Sequence, residues 1–229
     1  MGVVHHLKDM FNVRKDRSAF FTPSPDAETI VSPARAMEIF DVLKNMKHLA
    51  YGYTDDGCYA RAHLMCRQIL DMNAVPQKAW AFETEKRDLV VNYPEGDQIW
   101  WFHVAPVLKV DNGKGGYVAM VLDPSLFDGP ATVKEWREVM KAEADQVFIV
   151  DCGAAPKGYT GDYTPFHRTG WTTDAKAKKL MFDYVPLQGL NGGMPTVFPS
   201  RMRAESANDA VMPQTRFYKG AAACPNPKA

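Results

Sequence analysis

Three residues of this 229-residue sequence have side chains suited to nucleophilic chemistry, and they occur in the order Cys58, His103, Asp123. A cysteine can attack a carbonyl carbon when an imidazole manages its proton and a carboxylate orients that imidazole. Cys58 lies in "DGCYARAHLM", where turn residues precede a helical pattern. The first turn of a helix has unbonded N–H groups that favour a thiolate. The sequence therefore predicts a lowered pKa for Cys58, although a small, inert buried cysteine is the alternative.

A predicted hairpin places the other two residues. His103 lies in the strand pattern WWFHVAPVL and Asp123 follows YVAMVL, with the turn DNGKGG between them. Facing residues of a hairpin have positions of constant sum, so a turn centred at residue 113 puts Asp123 opposite His103. A centre half a residue later would put Asp123 on the other face. Each residue also has a structural alternative, as a hydrogen-bonded core histidine and as a strand-closing aspartate.

The surrounding elements predict an α+β fold in which an antiparallel sheet packs against the helix that carries Cys58 at its N-terminus. Helical periodicity and capping residues predict helices at about 33–48, 58–72 and 132–143. Short β-branched and aromatic runs predict an antiparallel meander over about 77–123 and a further strand at 147–150. A short element is expected at 178–187. We interpret residues 1–31 as an irregular arm and residues 32–229 as a single catalytic domain.

Composition excludes several other classes of protein. The 46% hydrophobic and 24% charged residues are typical of a globular domain. Lys+Arg and Asp+Glu number 27 each, which gives no electrostatic reason to expect a nucleic-acid or membrane partner. No apolar stretch is long enough to span a bilayer, and no secretory signal is recognisable. The four cysteines lack metal-ligand spacing, so no metal site is expected.

The segments "YGYTDDGCYARAHLM", "WWFHVAP" and "VLDPSLFDGP", with a tryptophan at position 136, resemble the protein-glutaminases. These are bacterial enzymes that deamidate protein-bound glutamine. The resemblance covers about residues 51–137 and implies a transglutaminase-like, papain-like core that needs no cofactor. It also implies that Cys58 is the nucleophile, His103 the base and Asp123 the orienting carboxylate of a thioester mechanism. Three aromatic residues could line a substrate pocket: Tyr59, Trp101 and Phe127.

The sequence leaves other functions open. The same three residues could perform transglutamination or cleave peptide bonds, and in a non-catalytic binding module they would only pack. The expected partner of the enzyme is a protein that presents a surface glutamine, and an inhibitory or immunity protein could bind it as well. Since no signal peptide is recognisable, we expect folding in a bacterial cytoplasm. A specialised secretion system could then deliver the protein as an effector or toxin.

Overall fold

The computed structural model describes residues 23–94, 96–152, 174–188 and 197–205 of the chain. The remaining residues, including 1–22 of the predicted arm, lie outside this part. The helices are α1 (Pro33–Lys44), α2 (Cys58–Asp71), α3 (Val133–Val139), α4 (Asp174–Tyr184) and α5 (Arg201–Glu205). The strands are β1 (Gln77–Phe82), β2 (Leu89–Tyr93), β3 (Gly96–Trp100), β4 (Phe102–Asp111), β5 (Tyr117–Val121), β6 (Ala131–Thr132) and β7 (Val147–Asp151). None of the described helices is long and apolar enough to cross a bilayer.

Five strands form one antiparallel sheet in the order β6-β5-β4-β1-β7, and β2 pairs with β3 in a separate hairpin. The predicted α+β fold with an antiparallel sheet is confirmed. β1 pairs with β4 over Phe102–Val107, whereas β5 pairs with it only from Val107 to Asp111. The beginning of β4 therefore lies beyond the end of its β5 partner.

Side chains of β4 point alternately to the two faces of the sheet and pack in two different layers of the core. Leu108 and Val110 pack in the cluster that contains residues of α1, α2 and α4. Ala105 and Val107 pack in the cluster that contains residues of α3 and the β2–β3 hairpin. Because successive side chains of a strand point to opposite faces, His103 has the direction of Ala105 and Val107. Its imidazole therefore belongs to the layer of α3 and the β2–β3 hairpin.

The β4–β5 hairpin differs from its predicted register. Its paired residues, from Val107 with Val121 to Asp111 with Tyr117, place the centre of the turn one residue later than predicted. The same register carried past β5 sets Asp123 beside Ala105 instead of beside His103. A displacement of two residues keeps a side chain on its face, so Asp123 and His103 still share one.

Element boundaries also differ locally from the prediction. α1 ends at Lys44 and α3 at Val139, each about one turn early. The predicted strand WWFHVAPVL is divided at Trp101, which separates β3 from β4. The capping box at the start of α3 forms as predicted, with Thr132 and Glu135 each accepting from the backbone of the other.

The N-terminus of α2 is held by α4 rather than by a capping aspartate. The N-cap residue is Gly57, at φ 86°, and no side chain caps this helix end. A Cβ atom on Gly57 would lie 3.0 Å from the Tyr184 ring and 3.1 Å from Cε of Met181. Further along, Asp174 at the start of α4 accepts hydrogen bonds from His63 and Arg67 of α2. Position 57 therefore requires glycine for two reasons: its backbone is left-handed, and α4 leaves no room for a side chain.

Gly57→Ala should lower the free energy of unfolding more than Gly113→Ala. Gly113 also has a left-handed φ, 68°, but a Cβ atom added there would meet no other atom within 4 Å. Both variants incur the backbone cost of about 1–2 kcal/mol, and only the first also crowds α4, at roughly 1–3 kcal/mol. Chemical denaturation followed by circular dichroism measures the difference. Equal losses in the two variants would contradict the close packing of α4 on Gly57.

Candidate active site

A cavity of about 80 Å³ opens where β4 begins. One wall consists of the α2 N-terminus and the loop before it, and the other of the β3–β4 junction. Its lining residues are Thr54, Asp55, Asp56, Cys58, Arg61, Ile99, Trp100, Trp101, Phe102 and His103. The structure thus brings two of the three predicted catalytic residues, Cys58 and His103, to one cavity.

Cys58 is the first residue of α2 and is buried among residues of β1 and β4. Burial is the largest influence on its thiol and raises the pKa to about 12. The nearby Arg61 guanidinium and a backbone hydrogen bond from Val104 oppose this rise without cancelling it. The expectation of a lowered pKa is therefore wrong, because desolvation outweighs the stabilising groups. At neutral pH the resting sulfur retains its proton.

Arg61 fixes the loop that leads into α2. It lies one turn after Cys58, is almost completely buried, and donates through Nη1 to three backbone carbonyls. Its acceptors are the oxygens of Ala50 at 2.9 Å, Tyr53 at 2.9 Å and Asp56 at 3.1 Å. One buried cation thus holds the cavity wall in place and also favours negative charge on the neighbouring sulfur.

His103 and Asp123 form a buried pair at the other side of the site. The imidazole Nε2 lies 2.7 Å from Oδ2 of Asp123, and both side chains are almost completely buried. This bond uses Nε2, so Nδ1 is the ring nitrogen left for proton exchange. The carboxylate thereby fixes the orientation and the tautomer of the ring, as the third member of a Cys-His-Asp arrangement must.

Four hydrogen bonds reach the Asp123 carboxylate. Its Oδ2 also accepts from Trp136 Nε1 at 2.8 Å, and Oδ1 accepts from the Ser125 backbone at 3.2 Å and hydroxyl at 2.5 Å. Burial alone would raise the pKa of Asp123, but His103 and the donors of Ser125 and Trp136 hold it below its usual value. The carboxylate is therefore ionised at neutral pH and does not compete for the proton of the imidazole.

Two indoles confine the imidazole. The ring of Trp100 stacks on His103 with centroids 4.6 Å apart and planes 16° apart. The ring of Trp136 lies at 5.7 Å and 28°. Sequence reasoning assigned no role to Arg61, Ser125 or Trp136. The sequence signals for Trp136 were its part in the family resemblance and its place directly after the capping box that begins α3.

The three predicted substrate-binding residues have different surroundings. Trp101 lines the cavity. Tyr59 contacts lining residues, since its hydroxyl donates to Asp56 at 3.3 Å and its ring stacks on Phe102. Phe127 is instead buried in the layer of α3, close to the ring of Phe198, and is not among the residues that line the cavity. It lines a different pocket together with Glu135 and Phe198, and its part in substrate binding stays a prediction.

The described ranges contain no group of three or more His, Cys, Asp or Glu side chains that could hold a metal ion. The ionisable groups at the cavity are instead arranged as a buried thiol, an imidazole and a carboxylate. Such an arrangement can perform nucleophilic attack with transfer of a proton through the imidazole.

Comparisons with known proteins show what this chain is similar to. Residues 36–140 match the family model described as glutaminase. The fold is similar to the NMR structure of protein-glutaminase from Chryseobacterium proteolyticum, with 21% identity, a TM-score of 0.57, and coverage of 74% of this chain and 96% of that one. It is also similar to a crystal structure of a mutant pro-protein-glutaminase, with 20% identity, a TM-score of 0.59, and coverage of 73% of this chain and 63% of that one.

The chain thus spans less than two thirds of the pro-protein-glutaminase chain it matches. No match was found among curated proteins. The match to the glutaminase model spans residues 36–140, the segment that contains Cys58, His103 and Asp123. The resemblance to the protein-glutaminases that the sequence predicts is confirmed as a similarity of this segment to the family model and of the fold to their structures.

Iodoacetamide should alkylate Cys58 before Cys66 and Cys152 in the native protein. Cys58 lines the cavity, whereas the other two thiols are buried against each other. Because burial raises the pKa of Cys58 to about 12, its labelling rate should continue to rise above about pH 9, where an ordinary thiol levels off. Peptide mapping by mass spectrometry measures each site separately. Equal rates for the three thiols would contradict the open cavity, and a plateau near neutral pH would contradict a protonated resting sulfur.

Proposed function

We propose that this protein deamidates glutamine side chains of other proteins, releasing ammonia and leaving glutamate. The observation that carries the proposal is the buried His103–Asp123 hydrogen bond beside the cavity that Cys58 lines. The glutaminase family match over the same residues and the protein-glutaminase fold support it. Cys58, His103 and Asp123 are the proposed nucleophile, acid–base group and orienting carboxylate.

In the first half of the proposed reaction, His103 accepts the thiol proton at Nδ1 as the Cys58 sulfur attacks the carboxamide carbon of glutamine. Coupling the two events matters because burial keeps the resting thiol protonated. Backbone N–H groups of the first turn of α2 are unbonded within the helix and can stabilise the resulting oxyanion. The imidazolium then donates its proton to the departing amine, and ammonia leaves as a thioester forms.

In the second half, the neutral imidazole takes a proton from water, which attacks the thioester carbon. The sulfur leaves and recovers the proton, and glutamate is released. Throughout both halves the Asp123 carboxylate remains ionised and stabilises the imidazolium when it forms. The bonds to Ser125 and Trp136 keep the carboxylate in place during these transfers.

Water is the proposed acceptor of the thioester, and a lysine amine in its place would make the protein a transglutaminase. Attack of the sulfur on a backbone carbonyl instead of a side-chain carboxamide would make it a protease. The size of the cavity, about 80 Å³, suits a single inserted side chain. The family match favours glutamine as that side chain and hydrolysis as the outcome.

Incubation with a glutamine-rich protein should release ammonia and convert glutamine to glutamate, detected by mass spectrometry. Cys58→Ala should abolish both changes, whereas Cys66→Ala, a matched change at a buried thiol outside the cavity, should retain activity. Glutamine–lysine cross-links would support a transglutaminase, and new chain termini would support a protease. Ammonia at the level of the Cys58→Ala control, with none of these products, would contradict an enzymatic role.

Asp123→Asn should lower kcat by up to about 10⁴, by analogy with other triads in which the carboxylate fixes the tautomer of the histidine. Trp136→Phe removes one donor to the same carboxylate and should cost about tenfold. Asp111→Asn is the control, since Asp111 is exposed at the far end of β4. Steady-state ammonia release measures all three. Full activity of Asp123→Asn with its fold intact would remove Asp123 from the mechanism.

A further inference from the structure

Two large apolar side chains are exposed at the mouth of the cavity. Ile99 is 59% exposed and Trp101 is 43% exposed, and both line the cavity that Cys58 and His103 share. The Trp101 ring lies edge-on against Phe102, with centroids 4.2 Å apart. We call this pair the apolar rim. Adjacent exposed apolar side chains at a cavity mouth are typical of a binding surface.

Negative charge lies beside the apolar rim. Asp55 and Asp56 line the same cavity, and Asp55 is exposed. The N–H of Glu83 bonds to the carbonyl of Trp101 at 2.8 Å, so the backbone of a further exposed acidic residue adjoins the rim. Arg61 is the lining residue with a permanent positive charge, and its guanidinium is buried against backbone carbonyls. Among the described residues that line the mouth, the accessible charge is therefore negative.

A protein substrate must contact both the apolar rim and the acidic residues beside it. A glutamine side chain that enters the cavity leaves its own backbone at the mouth, and each neighbouring residue extends the chain by only about 3.5 Å. The residues on either side of the glutamine consequently meet Ile99, Trp101 or Asp55. These contacts lie outside the pocket for the reacting amide, so they can select among glutamines without taking part in the reaction.

We propose that the apolar rim and Asp55 select glutamines that have a large apolar residue next to them and a lysine or arginine within a few positions. This inference rests on the proposed deamidation for the glutamine itself. Partial burial of the apolar neighbour should raise kcat/KM about tenfold. An exposed ion pair with Asp55 should add roughly two- to fivefold, and this gain should fall at high salt.

Three blocked peptides test the preference by ammonia release. The parent has leucine beside the glutamine and lysine two residues away, the second replaces leucine by serine, and the third replaces lysine by glutamate. The wild-type enzyme should prefer the parent over each of the others. Trp101→Ala should remove the preference for leucine only, and Asp55→Asn the preference for lysine only, as in a double-mutant cycle. Phe182→Ala, a change at a 46% exposed aromatic residue of α4, should leave both preferences intact.

Equal kcat/KM for the three peptides would overturn the inference while leaving deamidation intact. Preferences that persist in Trp101→Ala and Asp55→Asn would overturn it as well. Calorimetry of the same peptides with Cys58→Ala measures binding without reaction. It therefore separates failure of the proposed selectivity from failure of the proposed deamidation. If no peptide is deamidated but the parent binds most tightly, the rim is supported and the proposed reaction fails. If no peptide binds preferentially and none is deamidated, both fail.

Discussion

The site depends on one buried negative charge, the carboxylate of Asp123. A carboxylate in a protein interior destabilises the fold unless hydrogen bonds replace the water it has lost. Here the donors come from three places: His103 on β4, Ser125 in the following turn and Trp136 on α3. Satisfying the charge therefore also fixes the imidazole, closes the turn after β5 and docks α3 onto the sheet. The bonds that stabilise the buried charge are thus the same bonds that orient the imidazole.

The second constraint is that β5 pairs with only the later half of β4. The α2 N-terminus lies beside the earlier half of β4. A backbone hydrogen bond from Val104 reaches the Cys58 sulfur there. Cys58 approaches from the layer of helices and His103 belongs to the opposite layer, and both line the cavity at this edge. Arg61 and the close contact of α4 with Gly57 hold the loop and the helix start there. A short strand and a glycine N-cap thus create a place where a thiol and an imidazole can share a pocket.

The residue types and their order predicted which side chains the structure brings together, since Cys58 at a helix start, His103 in a strand and Asp123 after a hairpin are each local patterns. The prediction that His103 and Asp123 share one face of the sheet held although the predicted register was wrong, because a displacement of two residues leaves a side chain on the same face. The supporting residues could not be predicted, since the bonds from Trp136 to Asp123 and from Arg61 to three carbonyls depend on tertiary packing. The pKa of Cys58 was predicted in the wrong direction for the same reason: the helix terminus is visible in the sequence, whereas burial is not. Phe127 packs in the layer of α3, away from the cavity that Cys58 lines, because aromatic residues near a motif belong to a core as readily as to a pocket.

The central claim is that Cys58 forms a thioester with glutamine and that water then hydrolyses it. Partition with hydroxylamine tests this most directly, because a thioester reacts with hydroxylamine as well as with water. With a glutamine peptide and rising hydroxylamine, the account predicts that glutamyl hydroxamate replaces glutamate while ammonia release continues, and that Cys58→Ala forms neither product. Formation of glutamate alone at every hydroxylamine concentration, or hydroxamate formation by Cys58→Ala, would contradict a thioester at Cys58.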